Sequence, residues 1–146
     1  MKNKNNKTSK IINKFKKIDK KFAASSSDLA DAITRVGSTA KDVKVSFKSL
    51  IKNVKQAQKT TSRGGAVIGN ALKTIFTRLG RDENLDKLQS LGIKVRYKNG
   101  NQLPANQILT EMAQKWPDMN TKDKKMIGEN IAGVFQMEIF KAIIRN

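Results

Sequence analysis

The sequence contains no histidine and no cysteine. Their joint absence removes disulfides, Cys/His zinc sites, haem ligation through either residue, and nucleophile machinery of the Ser-His-Asp or Cys-His kind. Proline occurs twice and aromatics make up 5% of the chain, so a core has to be built from Ile, Leu, Val, Met and Ala. Long apolar runs are missing as well. The most apolar windows, 64–76 and 131–144, are broken by Asn70 and Lys73, and by Gln136, Glu138 and Lys141. A bilayer-spanning helix takes roughly 20 predominantly apolar residues. The N-terminus is basic but lacks the apolar run of a signal peptide. These absences predict a soluble, non-enzymatic chain that needs no metal or cofactor and carries nothing directing it out of a cytoplasm.

What is abundant is positive charge. The 146 residues, one domain's worth, hold 30 Lys and Arg against 12 Asp and Glu, for a net charge of +18. Residues 1–22 alone hold nine Lys and one Asp. Lys outnumbers Arg 24 to 6, and Asn (13) and Ile (14) are frequent too. All three abundant types share A/T-rich codons. The excess therefore has two readings, codon composition or a surface suited to anionic partners.

The segment MKNKNNKTSK has nothing to bury and predicts disorder. Ile11, Ile12, Phe15, Ile18 and Phe22 then recur at helical spacing among Lys10, Lys14, Lys16, Lys17, Lys20 and Lys21. That pattern fits a basic amphipathic helix induced by nucleic acid or another anionic partner. Residues 1–24 form this arm. Residues 25–146 read as a helical core, entered through Ser25-Ser26-Ser27, where Ser25 and Asp28 have capping-box spacing.

Leu29, Ile33 and Val36 form one helical face, with Gly37 either ending that helix or tolerated within it. Ser46 is placed to cap a second helix with Phe47, Leu50, Ile51 and Val54 inward. Lys48, Lys52, Lys55 and Lys59 fall on its opposite side, as a solvated face or a seam for an acidic partner or phosphates. A third helix runs from Arg63-Gly64-Gly65 to Leu79, with Gly80 as a C-cap glycine. Asp82 and Glu83 open a fourth, which Gly92 stops. Ile93, Val95 and Tyr97 alternate with Lys94, Arg96 and Lys98, and Asn99-Gly100 favours a type I′ turn, so a small β-hairpin is expected near Lys94–Leu103. Pro104 suits the first turn of a helix that stops before Pro117. Asn120 and Asp123 cap a last helix carrying Met126, Ile127, Ile131, Val134 and Phe135 and continuing unbroken through Ile139, Phe140, Ile143 and Ile144. The expected fold is mainly α, with six or seven amphipathic helices. The pattern reaches Asn146 in mid-face, so the chain is expected to be cut from something longer and to self-associate through Ile139, Ile143 and Ile144.

Chemical constellations are few. Gly64 to Gly69 matches the first half of a phosphate-binding loop, but Asn70 and Ala71 stand where the Lys and the Ser or Thr are required. Gly65-x-x-x-Gly69 instead suits close helix packing. Asp82, Glu83 and Asp86, and separately Asp118 and Asp123, lack the spacing of a calcium loop and are accounted for by helix N-termini. Tyr97 and Trp116 are too few for a base-stacking platform.

In order along the chain, DLADAITRVGSTAK (28–41), VSF (45–47), RGGAVIGNALKTIFTRL (63–79), LQSLGIKVRYKNGNQLPANQIL (88–109), Trp116 and IAGVFQ (131–136) resemble the core of phage tail tape measure proteins. The positions carrying that core motif are Arg63, Gly64, Gly65, Gly69, Arg78, Asn99, Gly100, Gly133 and Phe135. Lys44 departs from it, because the family usually has glycine before the VSF step. The resemblance implies a virion structural protein in the lumen of the tail tube, present in the host cytoplasm during assembly. It also implies tube and tail-assembly proteins as partners, control of tail length, exit ahead of the DNA, and no catalytic residues. A single helix of this chain would reach only about 220 Å, so it does not serve as a ruler alone. The alternative reading is a small basic protein that binds nucleic acid non-specifically.

Overall fold

The computed structural model describes residues 26–144. The basic arm of residues 1–24, with the helix expected over Ile11–Phe22 and the six lysines named with it, and the expected Ser25 cap lie outside the described residues. Those described form seven α-helices: α1 (Ser26–Asp42), α2 (Phe47–Thr61), α3 (Gly65–Leu79), α4 (Asp82–Ser90), α5 (Ala105–Lys115), α6 (Thr121–Ile131) and α7 (Gly133–Ile144). A 3₁₀ turn, Trp116–Asp118, joins α5 to α6. No helix among them is long and apolar enough to cross a membrane.

The centre is α3. It buries Ile68, Leu72, Ile75, Phe76 and Leu79 completely, and α1, α2, α4, α6 and α7 all pack on it. Full burial of each such side chain is worth about 1.5–3 kcal/mol. Its closest neighbour is α1, which runs parallel to it. A Cβ at Gly65 would run into the Asp28 carbonyl, and one at Gly69 would stand 2.8 Å from the Ala32 carbonyl oxygen. Further along, Gly80 lies against Val43. All three pairings share the 37-residue offset of the Asp28–Gly65 hydrogen bond. The small-residue pair read from the sequence thus lets two backbones touch, as expected.

Gly37 has nothing within 4 Å of its missing side chain, and α1 passes straight through it. That helix ends in a Schellman motif, in which the Val45 N–H donates to the Ala40 carbonyl (2.8 Å) and the Lys44 N–H to the Lys41 carbonyl (3.1 Å). Lys44 therefore sits at φ 59°, the left-handed position at which the resembling family has glycine. The lysine carries the strain of that left-handed position. The end of α4 repeats the motif with Gly92 at φ 82°, where Ile93 donates to Leu88 and Gly92 to Gln89. Ser46 caps α2 by accepting from the Ser49 N–H (3.2 Å), and Asn120 caps α6 from the Asp123 N–H (2.7 Å).

Three expectations are corrected. No β-hairpin forms over Lys94–Leu103. The segment makes a single antiparallel bridge, Arg96 to Gln102, because Pro104 ends the return arm and Ala105 donates instead to the Val43 carbonyl. Its turn is not type I′ either, since only Gly100 has positive φ (89°) and the loop holds three residues between Tyr97 and Asn101. Gly80 does take the C-cap of α3, with φ −78°, and the buried Asn84 amide donates to the Arg78 carbonyl there (2.7 Å). The last helix is two helices, broken at Gly133 with φ 76°. That elbow folds α7 back on α6, with Gly128 close to the Met137 thioether. In consequence Ile139, Ile143 and Ile144 are buried, while Val134 (78%) and Phe135 (94%) face solvent.

Substitutions at Gly69, Gly37 and Lys44 separate close packing, helix propensity and left-handed strain. Gly69→Ala should cost about 2–3 kcal/mol through forced separation of α1 from α3, whereas Gly37→Ala should gain about 0.5–1 kcal/mol from helix propensity. Urea unfolding midpoints at constant m-value read both. By the same measurement Lys44→Gly should stabilise the protein by about 1 kcal/mol, by removing the left-handed cost of a residue with a side chain.

Candidate interaction surfaces

The motif glycines leave the N-terminus of α3 without a side-chain cap, since Gly64 occupies the N-cap. Asp28, one helix away, fills the role: its Oδ1 accepts from the Gly65 N–H at 3.1 Å. A carboxylate at a helix N-terminus satisfies an orphan donor and the helix dipole together. Sequence spacing assigned Asp28 to its own helix, so this contact was missed; only the α1–α3 register reveals it.

The other motif residues are spread over the fold. Arg63 is exposed and pairs with Glu138 of α7 at 3.3 Å, a surface contact worth under about 1 kcal/mol. Arg78 lies beneath the elbow, its Nη1 2.7 Å from where a Gly133 Cβ would be. Asn84 joins the same region, its amide donating to the carbonyls of Arg78 and Asn130 (3.4 Å) and so tying the ends of α3 and α6 together. Asn99 accepts from the Asn101 N–H (3.0 Å) inside its loop. Phe135 stands in solvent. These positions do not converge on one site; they shape helix crossings, caps and the elbow.

Arg96 is a further residue the spacing did not single out. It reaches back from the loop to Asp86 (3.0 Å), Asp82 (3.6 Å) and Gln89 (3.0 Å) on α4. The acids Asp82 and Asp86 are thereby partnered by a guanidinium. Among the described residues no three His, Cys, Asp or Glu side chains gather in a way that could hold a metal ion. Trp116 packs edge-on to the buried Phe140 (ring centroids 5.9 Å apart), with the Lys124 ammonium over its face, and Tyr97 is half exposed.

The lysines of α2 are arranged as their spacing predicts. Lys48, Lys52 and Lys59 are exposed and Lys55 is half-buried, and with Ser49, Ile51 and Gln56 they line a shallow concavity of about 600 Å³. Among the described residues no acidic side chain lines it. Beside it, sharing Ser49 and Lys52, a cleft of about 490 Å³ separates α2 from α5.

The chain thus offers helix-built surfaces and an irregular loop, with its motif residues engaged in packing. The model of the phage-related minor tail protein family matches residues 1–133. The chain belongs to that family. The match takes in the basic arm and stops at the elbow, leaving the rest of α7 beyond it. No solved structure matches the chain. For a minor tail protein, a structural role in the phage tail, with tail assembly partners, follows from the family.

The cap from Asp28 is testable by its chemistry. Asp28→Ala should lower stability by about 1 kcal/mol, and Asp28→Asn, which keeps an acceptor, by less than half of that in the same urea series.

Proposed function

We propose that this minor tail protein supplies a folded core of the tape measure type, held within the tail tube and acting without catalysis. The observation that carries the reading is where the resembling residues lie. Gly65 and Gly69 bring α3 against α1, Gly133 makes the elbow over Arg78, and Arg63 ties α3 to α7. The most recognisable part of the sequence is spent on helix packing and caps. Such use of side chains suits a protein that works by shape inside an assembly.

Length supports a division of labour. The longest described helix, α1, has 17 residues and spans about 25 Å. The described helices are short and pack on one another, so this part acts as a docking body and leaves measurement of tail length to extended helical protein. On this reading its place is the lumen of the tail tube, reached from the host cytoplasm during assembly. A second reading, non-specific nucleic-acid binding, draws on the net charge of +18 and the exposed lysines of α2.

The two separate in the virion. Immunoblots of purified phage should find the chain in intact particles and lose it from particles emptied of DNA. Retention in emptied particles overturns the lumenal reading. Absence from tails altogether, with submicromolar duplex binding whose logarithm falls steeply with that of the salt concentration, establishes the second reading instead.

A further inference from the structure

We infer that the elbow between α6 and α7 is a docking knob, with Val134 and Phe135 entering an apolar socket on a partner protein and Arg78 pairing with a carboxylate at the rim of that socket. The inference rests on the reading that this chain works by docking to other tail proteins, and it names the chemistry of the contact. Phe135 is 94% exposed and Val134 78%, more than any other large apolar side chain among the described residues. An aromatic ring taken wholly out of water buries about 150–250 Å². Apolar groups that stand together in solvent mark contact surfaces.

Packing holds the two side chains outward. Gly133 takes φ 76° and turns the chain back, so that α7 begins at the elbow itself. The inward face of α7 is already occupied, with Ile139, Phe140, Ile143 and Ile144 in the core and the Met137 thioether close to Gly128. Rolling the helix to cover Phe135 would bring those residues into water. The knob therefore meets a partner in the geometry it already has, which keeps the ordering cost of binding small.

The charges beside the knob decide what the socket carries. Glu138 follows Val134 by four residues and Phe135 by three, which places it on the same side of α7. Its carboxylate is met by Arg63 at 3.3 Å. Arg78 has no such acid. Its half-buried guanidinium sits under Gly133, with Nη1 2.7 Å from the place of a Cβ there, and among the described residues no carboxylate pairs with it. A guanidinium presents a planar fork of donors that matches a carboxylate. The complement of this surface is an apolar hollow with an acid on the side that faces the end of α3.

Two other occupants match it less well. Across a two-fold axis a second copy of the elbow offers a knob to a knob and a guanidinium to a guanidinium. A lipid surface takes up a helix through a long apolar face, and the apolar face of α7 is turned into the core while Glu138 stands beside the knob.

Photocrosslinking in assembled tails tests this. The full chain with benzoylphenylalanine at position 135 is supplied to phage lacking their own copy, the purified tails are irradiated, and the bonded peptide is identified by mass spectrometry. The expected bond is to a different tail protein, at an apolar residue with an Asp or Glu beside it. Phe135→Ser and Arg78→Glu should each lower the amount of chain in tails about tenfold or more. The thermal melt of Phe135→Ser should not change, because the ring is exposed. Replacing the partner's acid by Lys should restore the Arg78→Glu chain to tails. Normal incorporation of Phe135→Ser, or failure of the Lys replacement to rescue Arg78→Glu, overturns the inference. A bond to another copy of this chain overturns it in favour of self-association. Co-sedimentation with phosphatidylglycerol vesicles that Phe135→Ser abolishes overturns it in favour of a lipid surface. Any of these results with the unaltered chain present in tails removes this inference alone, whereas its absence from tails removes the reading beneath it.

Discussion

The backbone approach of α3 to α1 is the constraint on which the rest of the fold depends. Glycine at 65 and 69 lets the Asp28 and Ala32 carbonyls come to where side chains would stand. That closeness sets a parallel register which persists to Val43 and Gly80, and it brings the Asp28 carboxylate onto the first N–H of α3. With α3 fixed in this way, its other faces receive α2, α4, α6 and α7. Van der Waals contact falls off within an ångström of separation. A side chain at either glycine would therefore loosen the whole line of contact.

Surface chemistry follows from the same arrangement. Parallel α1 and α3 require α2 to return between their ends, and the apolar face of α2 goes inward at Leu50, Val54 and Ala57. Its lysines are left along the other side, next to the space that separates it from α5. Among the described residues the most exposed large apolar side chains, Val134 and Phe135, stand at the elbow, away from that space.

Much of the local order was legible before folding. Ser46 and Asn120 cap the helices they precede, Gly92 ends α4 and the Gly65–Gly69 pair packs, because caps and close approaches depend on a few adjacent residues. The hairpin was overread. Alternation and Asn-Gly describe a strand and a turn, but a ladder also needs a second arm, and Ala105 gives its N–H to Val43. The lysine row of α2 was visible in its spacing. The cleft beside it was not, since its walls come from helices some sixty residues apart in the chain and its floor from α7.

The order of residues in the chain determined where helices begin, where most of them stop and which side of each is apolar, all matters of spacing within a turn or two. Folding alone decided which apolar residues were covered. Met126 to Ile144 reads as one continuous face, yet a left-handed Gly133 divides it, burying Ile139, Ile143 and Ile144 and turning Val134 and Phe135 outward. The same is true of Asp28, which caps a helix 37 residues away. Contacts of that kind depend on how distant backbones come to rest against each other, a geometry that no local spacing encodes.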